Sequence, residues 1–117
     1  MDVNEVPAKP RNLTVQQGAS WRRTLTYKDS SGNPIDITGY SIHGEIREKK
    51  TRDSRLLAIM TMTIVDAPNG KFTAEMTSEQ TAQIDRSGYY DITLSSSDTV
   101  RISQGRILLD TEVTAAI

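Results

Sequence analysis

The run Leu56-Leu57-Ala58-Ile59-Met60-Thr61-Met62-Thr63-Ile64-Val65-Asp66, the connector Ala67-Pro68-Asn69-Gly70 and the return Lys71-Phe72-Thr73-Ala74-Glu75-Met76 decide the fold. In the first run Leu56, Ala58, Met60, Met62 and Ile64 alternate with Leu57, Ile59, Thr61 and Thr63. Period two is the spacing of a strand, and the more apolar set is assigned to the core. The connector reads as a hairpin turn, because Asn-Gly readily takes positive φ. The return places Phe72, Ala74 and Met76 inward. The uncharged stretch over residues 56–65 is well short of the about 20 apolar residues of a membrane-crossing helix, so it is expected to be a core element.

Upstream, residues 13–16 form a short strand ended by Gly18, and residues 19–28 form the next. Trp21, Leu25 and Tyr27 fall on one face of that strand. Ser20, Arg22, Thr24, Thr26 and Lys28 fall on the other, a segregation typical of a half-buried strand. Arg23 shares the inward face, so it either snorkels past the core edge or marks a bulge. The run 29–34, Asp-Ser-Ser-Gly-Asn-Pro, has turn composition. Ile35-Asp36-Ile37-Thr38-Gly39-Tyr40 then makes a compact corner. The strand over 40–48 sends Tyr40, Ile42, Gly44 and Ile46 inward and Ser41, His43, Glu45, Arg47 and Lys49 outward. Gly44 in a core row implies a large neighbour, with Trp21 the expected one.

Downstream, Thr77-Ser78-Glu79-Gln80 is a capping box that starts a helix over 78–84. Ala82 or Ile84 is expected to touch the core. The strand over 88–95 places Tyr90, Ile92 and Leu94 inward and Tyr89 outward. The last strand, 99–113, carries Val100 and Ile102, then Ile107, Leu109, Thr111 and Val113. Its parity changes across Gln104-Gly105, so a bulge is expected at that glycine. Thr occurs 14 times and Ser 11 times, mostly in these runs, which suits half-exposed strand faces. The expectation is an all-β fold: a seven-stranded, immunoglobulin-like β-sandwich or partly open barrel with one short helix. Residues 12–117 are read as a single β-sandwich domain. Residues 1–11, with Pro7 and Pro10, are read as an extended arm.

The chemistry in the sequence is sparse. Cysteine is absent, which excludes disulfides, thiolate metal sites and cysteine nucleophiles. One histidine, His43, leaves a single imidazole, and with Glu45 it offers two ligands where zinc needs three or four. Asp29, Asn33 and Asp36 surround a turn without the spacing of a calcium loop. No Gly-x-Ser-x-Gly elbow or glycine-rich phosphate loop occurs. Glu75 and Glu79 read as surface charges rather than a glycosidase pair. No catalytic residue, metal or cofactor is therefore expected, and the protein is read as a non-enzyme. The N-terminus lacks a basic region followed by an apolar run, so a signal peptide is not expected.

The net charge is -1, but residues 47–55 concentrate five basic residues, Arg47, Lys49, Lys50, Arg52 and Arg55, against Glu48 and Asp53. Such a loop suits an acidic partner surface. Together with Arg22 it also permits a nucleic-acid reading. No aromatic residue interleaves for base stacking, however, so a protein partner is favoured. Tyr89, outward-facing, is the candidate for stacking on a sugar if the domain recognises carbohydrate.

The cadence Leu13-Thr14-Val15-Gln16-Gln17-Gly18, Trp21, the run Gly32-Asn33-Pro34-Ile35-Asp36-Ile37-Thr38-Gly39-Tyr40, Asn69-Gly70-Lys71, Thr77-Ser78-Glu79-Gln80-Thr81 and Tyr89-Tyr90-Asp91 resembles small β-sandwich proteins of tailed-bacteriophage structural modules. It is also similar to the N-terminal domain of siphophage upper baseplate proteins. The resemblance spans residues 12–114. It implies a virion component at the tail, baseplate or head–tail region, made in the bacterial host cytoplasm. It further implies contacts with other virion proteins and homo-oligomeric packing in the particle; no role at a membrane is expected, because the longest uncharged stretch is too short to cross one. The candidate interaction residues are Val3 and Val6 in the arm, Arg47, Lys49, Lys50, Arg52 and Arg55 in the loop, Tyr89, and Ile117 in the tail.

Overall fold

The computed structural model describes residues 9–111. Val3, Val6, Val113 and Ile117 lie outside the described residues. The strands are β1 (Lys9–Pro10), β2 (Leu13–Gln16), β3 (Trp21–Thr26), β4 (Ser41–Arg47), β5 (Leu56–Asp66), β6 (Lys71–Met76), β7 (Gly88–Ser95) and β8 (Thr99–Asp110), with one helix, α1 (Ser78–Ala82), between β6 and β7. The fold is all-β. The seven expected strands are present, and the two-residue β1 is an addition from the segment read as an arm.

Two layers face each other. One runs β8–β7–β4–β5, with β1 and β2 on the free side of β8; the other runs β5–β6–β3. β5 belongs to both. Residues 56–60 pair with β4, whereas residues 61–66 pair with β6. The order is the Greek key of an immunoglobulin-like sandwich, bent toward a partly open barrel by the shared strand.

The core lies between the layers. Val15, Ile46, Ile92, Leu94 and Ile107 come from one sheet, and Trp21, Leu25, Phe72, Ala74 and Met76 from the other. Ile35 and Ile37 fill it from the corner before β4, and Ile84 from beyond α1. Each fully buried aliphatic side chain contributes roughly 1.5–3 kcal/mol, so these loop residues anchor the connections as firmly as strand residues would.

Several expectations need correction. Leu57 is buried and Leu56 is 40 % exposed, the reverse of the simple alternation. The cause is a bulge: Ile46 pairs with Ala58 and Arg47 with Leu56, leaving Leu57 as the extra residue, turned inward. A second bulge leaves Val65 out between the pairs Ile64–Phe72 and Asp66–Lys71. In β8 the extra residue is Ile102, not Gln104 or Gly105. A Cβ on Gly44 would meet the Met60 and Met62 side chains at 2.9 Å, so those methionines, not Trp21, are its large neighbours. Arg23 is exposed on an unbulged strand; its guanidinium lies 5.1 Å from the Trp21 ring centroid and donates to the Thr14 carbonyl at 3.2 Å.

The capping box forms as expected. The Thr77 hydroxyl accepts from Gln80 N, and Thr77 N donates to Gln80 Oε1 at 2.8 Å. The helix stops at Ala82, which is exposed, and Ile84 reaches the core. The 67–70 connector is a 3-10 turn over Ala67–Asn69 closed by Gly70 at φ +67°; Asn69 does not take positive φ. A Cβ at Gly70 would lie 2.6 Å from the Ile35 carbonyl oxygen and 2.8 Å from that of Tyr27. Gly32, at φ +86°, faces open space. Gly32→Ala should therefore cost only backbone strain, about 1 kcal/mol, and Gly70→Ala roughly 3 kcal/mol. Urea unfolding midpoints of the two variants check this; equal losses would contradict the packing argument.

Candidate functional site

The outer face of β4, β7 and β8 is an ordered grid. Register places Arg47, Tyr89 and Arg106 in one cross-strand row, Glu45, Asp91 and Gln104 in the next, and His43, Thr93 and Arg101 in the third. Glu45 and Asp91 stand directly opposite each other, an arrangement that like charges disfavour. Cations on the neighbouring rows offset it. Arg47 meets Glu45 at 3.1 Å, and Arg101 meets Asp91 at 3.4 Å.

The loop between β4 and β5 folds beside this face and makes it concave. Glu48 N donates to the Arg55 carbonyl at 2.9 Å and closes the loop neck. The Ser54 hydroxyl accepts from Lys49 N and sits within hydrogen-bond distance of the Lys49 and Thr51 carbonyls. Arg47 donates to the Ser54 carbonyl at 2.7 Å, tying the loop to the sheet. Arg47 Nε is buried with no acceptor among the described residues.

The result is a cleft of about 400 Å³ bordered by the grid and by Lys49, Lys50, Thr51 and Arg52. Tyr89 forms part of its lining. The Lys50 ammonium lies 6.0 Å and the Arg106 guanidinium 5.7 Å from the Tyr89 ring centroid, distances at which cation–π attraction acts.

Five residues singled out in the sequence, Arg47, Lys49, Lys50, Arg52 and Tyr89, line this one cleft. Arg55 does not. It bonds Glu48 at 3.2 Å and Asp85 at 2.9 Å, while Arg86 bonds Glu48 at 2.9 Å. Two cations and two carboxylates neutralise one another there and tie the loop to the segment after α1. Arg22 is also elsewhere, on β3 of the second sheet, paired with Glu75 at 3.2 Å. A basic surface combining Arg22 with the loop is therefore not formed.

Sequence reasoning missed Asp91, Arg101, Gln104 and Arg106 as companions of the loop. The outward parity of Asp91, Arg101 and Arg106 was readable; that of Gln104 was not, because the bulge falls on Ile102, and neither was the adjacency β8–β7–β4. His43 and Glu45 do sit side by side on the face as expected. Among the described residues, no group of three or more His, Asp or Glu side chains is placed to hold a metal ion. No helix among them is long and apolar enough to cross a membrane.

The architecture defines an immunoglobulin-like β-sandwich domain with a charged cleft on one sheet. The chain belongs to the family of LtfC-like, beta-sandwich domains, whose model matches residues 7–109. No curated protein matches the sequence.

The Arg55–Asp85 pair holds the Asp85 carboxyl below the usual carboxylate range, chiefly through the Arg55 hydrogen bond. A depressed folded-state pKa adds stability that is present above the unfolded value, about 3.9, and is lost as pH falls through the lower folded value. Asp85→Asn should thus be less stable than the parent at neutral pH. The gap should close as pH drops below about 4, and also in high salt, which screens this exposed pair. Urea unfolding across that pH range tests it; a gap that persists undiminished at the acid end would contradict the assignment.

Proposed function

We propose that this domain is a structural component of a tailed-bacteriophage virion, in the tail, baseplate or head–tail region, and that it works through protein–protein contacts. The observation that carries the proposal is the match of residues 7–109 to the LtfC-like, beta-sandwich domain. The resemblance of the 32–40 corner and its flanking strands to phage β-sandwich proteins points the same way.

The exposed face of the first sheet supports the contact role. Leu56 stands opposite Arg47, and Ile59 opposite Glu45, so both lie beside the charged grid. They are 40 % and 47 % exposed. Apolar side chains next to paired charges and an aromatic residue make a surface with the composition of a protein interface. A rigid domain presenting this face in many copies suits a symmetric particle. Carbohydrate recognition is the weaker reading, because the Tyr89 ring that would stack on a sugar already has two cations beside it.

Mass spectrometry of particles purified from the producing host tests the proposal. The chain should co-purify with the major virion proteins at constant stoichiometry across gradient fractions. Its absence from intact particles would overturn the reading.

A further inference from the structure

We infer that the cleft beside the 49–52 loop binds an acidic polypeptide segment, an extended stretch carrying carboxylates on alternate residues. The cleft has more cations than its own carboxylates neutralise. Arg47 and Arg101 are paired with Glu45 and Asp91. Lys49, Lys50 and Arg52 have no carboxylate partner among the described residues, although all three border the same cavity. Arg47 adds a buried Nε with no acceptor among those residues. Unneutralised positive charge around a concave site focuses the field and favours an anionic ligand.

The distribution of charge selects the kind of anion. The loop side is basic, whereas the sheet side carries Glu45 and Asp91 in its middle row. A phosphodiester chain, charged at every unit, would also lay phosphates along that row, where Arg47 and Arg101 are already taken up by Glu45 and Asp91. An extended peptide turns successive side chains to opposite sides. It sets acidic side chains toward Lys49, Lys50 and Arg52 and neutral ones toward the sheet. Base stacking, on which single-strand binders depend, would have to displace the cations at Tyr89. β7 is paired on both sides over the grid, and β4 on both sides over its 44–47 rows beside the loop, so recognition there is by side chains rather than by strand addition.

The choice of a polypeptide rests on the protein-contact reading above. The test titrates the whole chain with a fluorescent, end-blocked peptide of alternating Glu and Ser, at about 20 mM salt where screening is weak. An oligothymidylate and a sulfated oligosaccharide of similar charge form parallel arms. The peptide is expected to bind, and to bind less tightly as salt rises. The triple variant Lys49→Gln, Lys50→Gln and Arg52→Gln should weaken it about tenfold, the loss of roughly 1.4 kcal/mol. A second triple variant, Arg22→Gln, Lys28→Gln and Lys71→Gln, has the same net charge and alters residues outside the cleft; it should bind like the parent. Equal weakening by both variants, tighter binding of either polyanion through the same three residues, or no peptide binding would each overturn the inference. Peptide binding by a chain that is absent from particles would leave the cleft assignment standing and remove the virion reading alone.

Discussion

A strand has one row of hydrogen-bonding groups on each edge, and β5 divides its rows between two sheets. Residues 56–60 serve β4 and residues 61–66 serve β6. The other links in the sandwich meet at this division. It brings Met60 and Met62 over Gly44, where the absent side chain lets the strands close. The bulges at Leu57 and Val65 flank the division. Each adds twist, which a strand passing from one sheet to the other requires. Gln80 of α1 then donates to the Ile59 carbonyl at 3.3 Å, so the helix covers an edge that β6 has left.

The opposite side of the sandwich is closed differently. β1 and β2 run parallel to β8 in one continuous register, interrupted at Arg11 and Asn12. There the Arg11 backbone presses onto Gly105, whose missing Cβ leaves the needed room. The Tyr90 hydroxyl lies 2.7 Å from the Arg11 carbonyl, to which it donates, and 3.1 Å from the Ser103 hydroxyl. Burial raises the Tyr90 pKa above the ordinary phenol value, so the proton in this bond is retained further into alkaline pH. Trp21 Nε1 and Arg23 both donate to the Thr14 carbonyl, so side chains span the seam between β2 and β3. Holding β8 in place by these contacts also places Arg101 and Gln104 beside β7, where both line the cleft, and Arg106 against the Tyr89 ring.

Legibility in the sequence followed the range of the interaction. The capping box at Thr77 and the bounds of β5, β6 and β7 are local, and reading the residues in order recovers them. The Leu56–Leu57 inversion is not local. Two adjacent leucines satisfy either parity, and only the partner strand decides which is left over. Gly105 illustrates the same limit. Glycine invites a bulge, yet its role is to admit Arg11 from the far end of the chain, and the bulge falls on Ile102. For the cleft, the outward row of β4 and the basic loop were readable. The strands that complete the grid were not, because β4 and β8 are separated by more than fifty residues and meet only through β7.

The cleft's charges also explain why the loop is held rather than free. A run with five basic residues would repel itself and extend if nothing opposed it. Here it is divided into three functions by geometry. Arg55 is drawn to Glu48 and Asp85 on one flank, and Arg47 to Glu45 and the Ser54 carbonyl at the base. Lys49, Lys50 and Arg52 are left at the rim. Neutralising the first two residues fixes the loop's shape, and that shape keeps the remaining three cations beside one cavity with no carboxylate partner among the described residues, Lys50 resting over the Tyr89 ring. Stability of the loop and exposure of its charge therefore come from the same arrangement: the pairs at the base and flank hold the loop, and Lys49, Lys50 and Arg52 stay at the rim of the cleft.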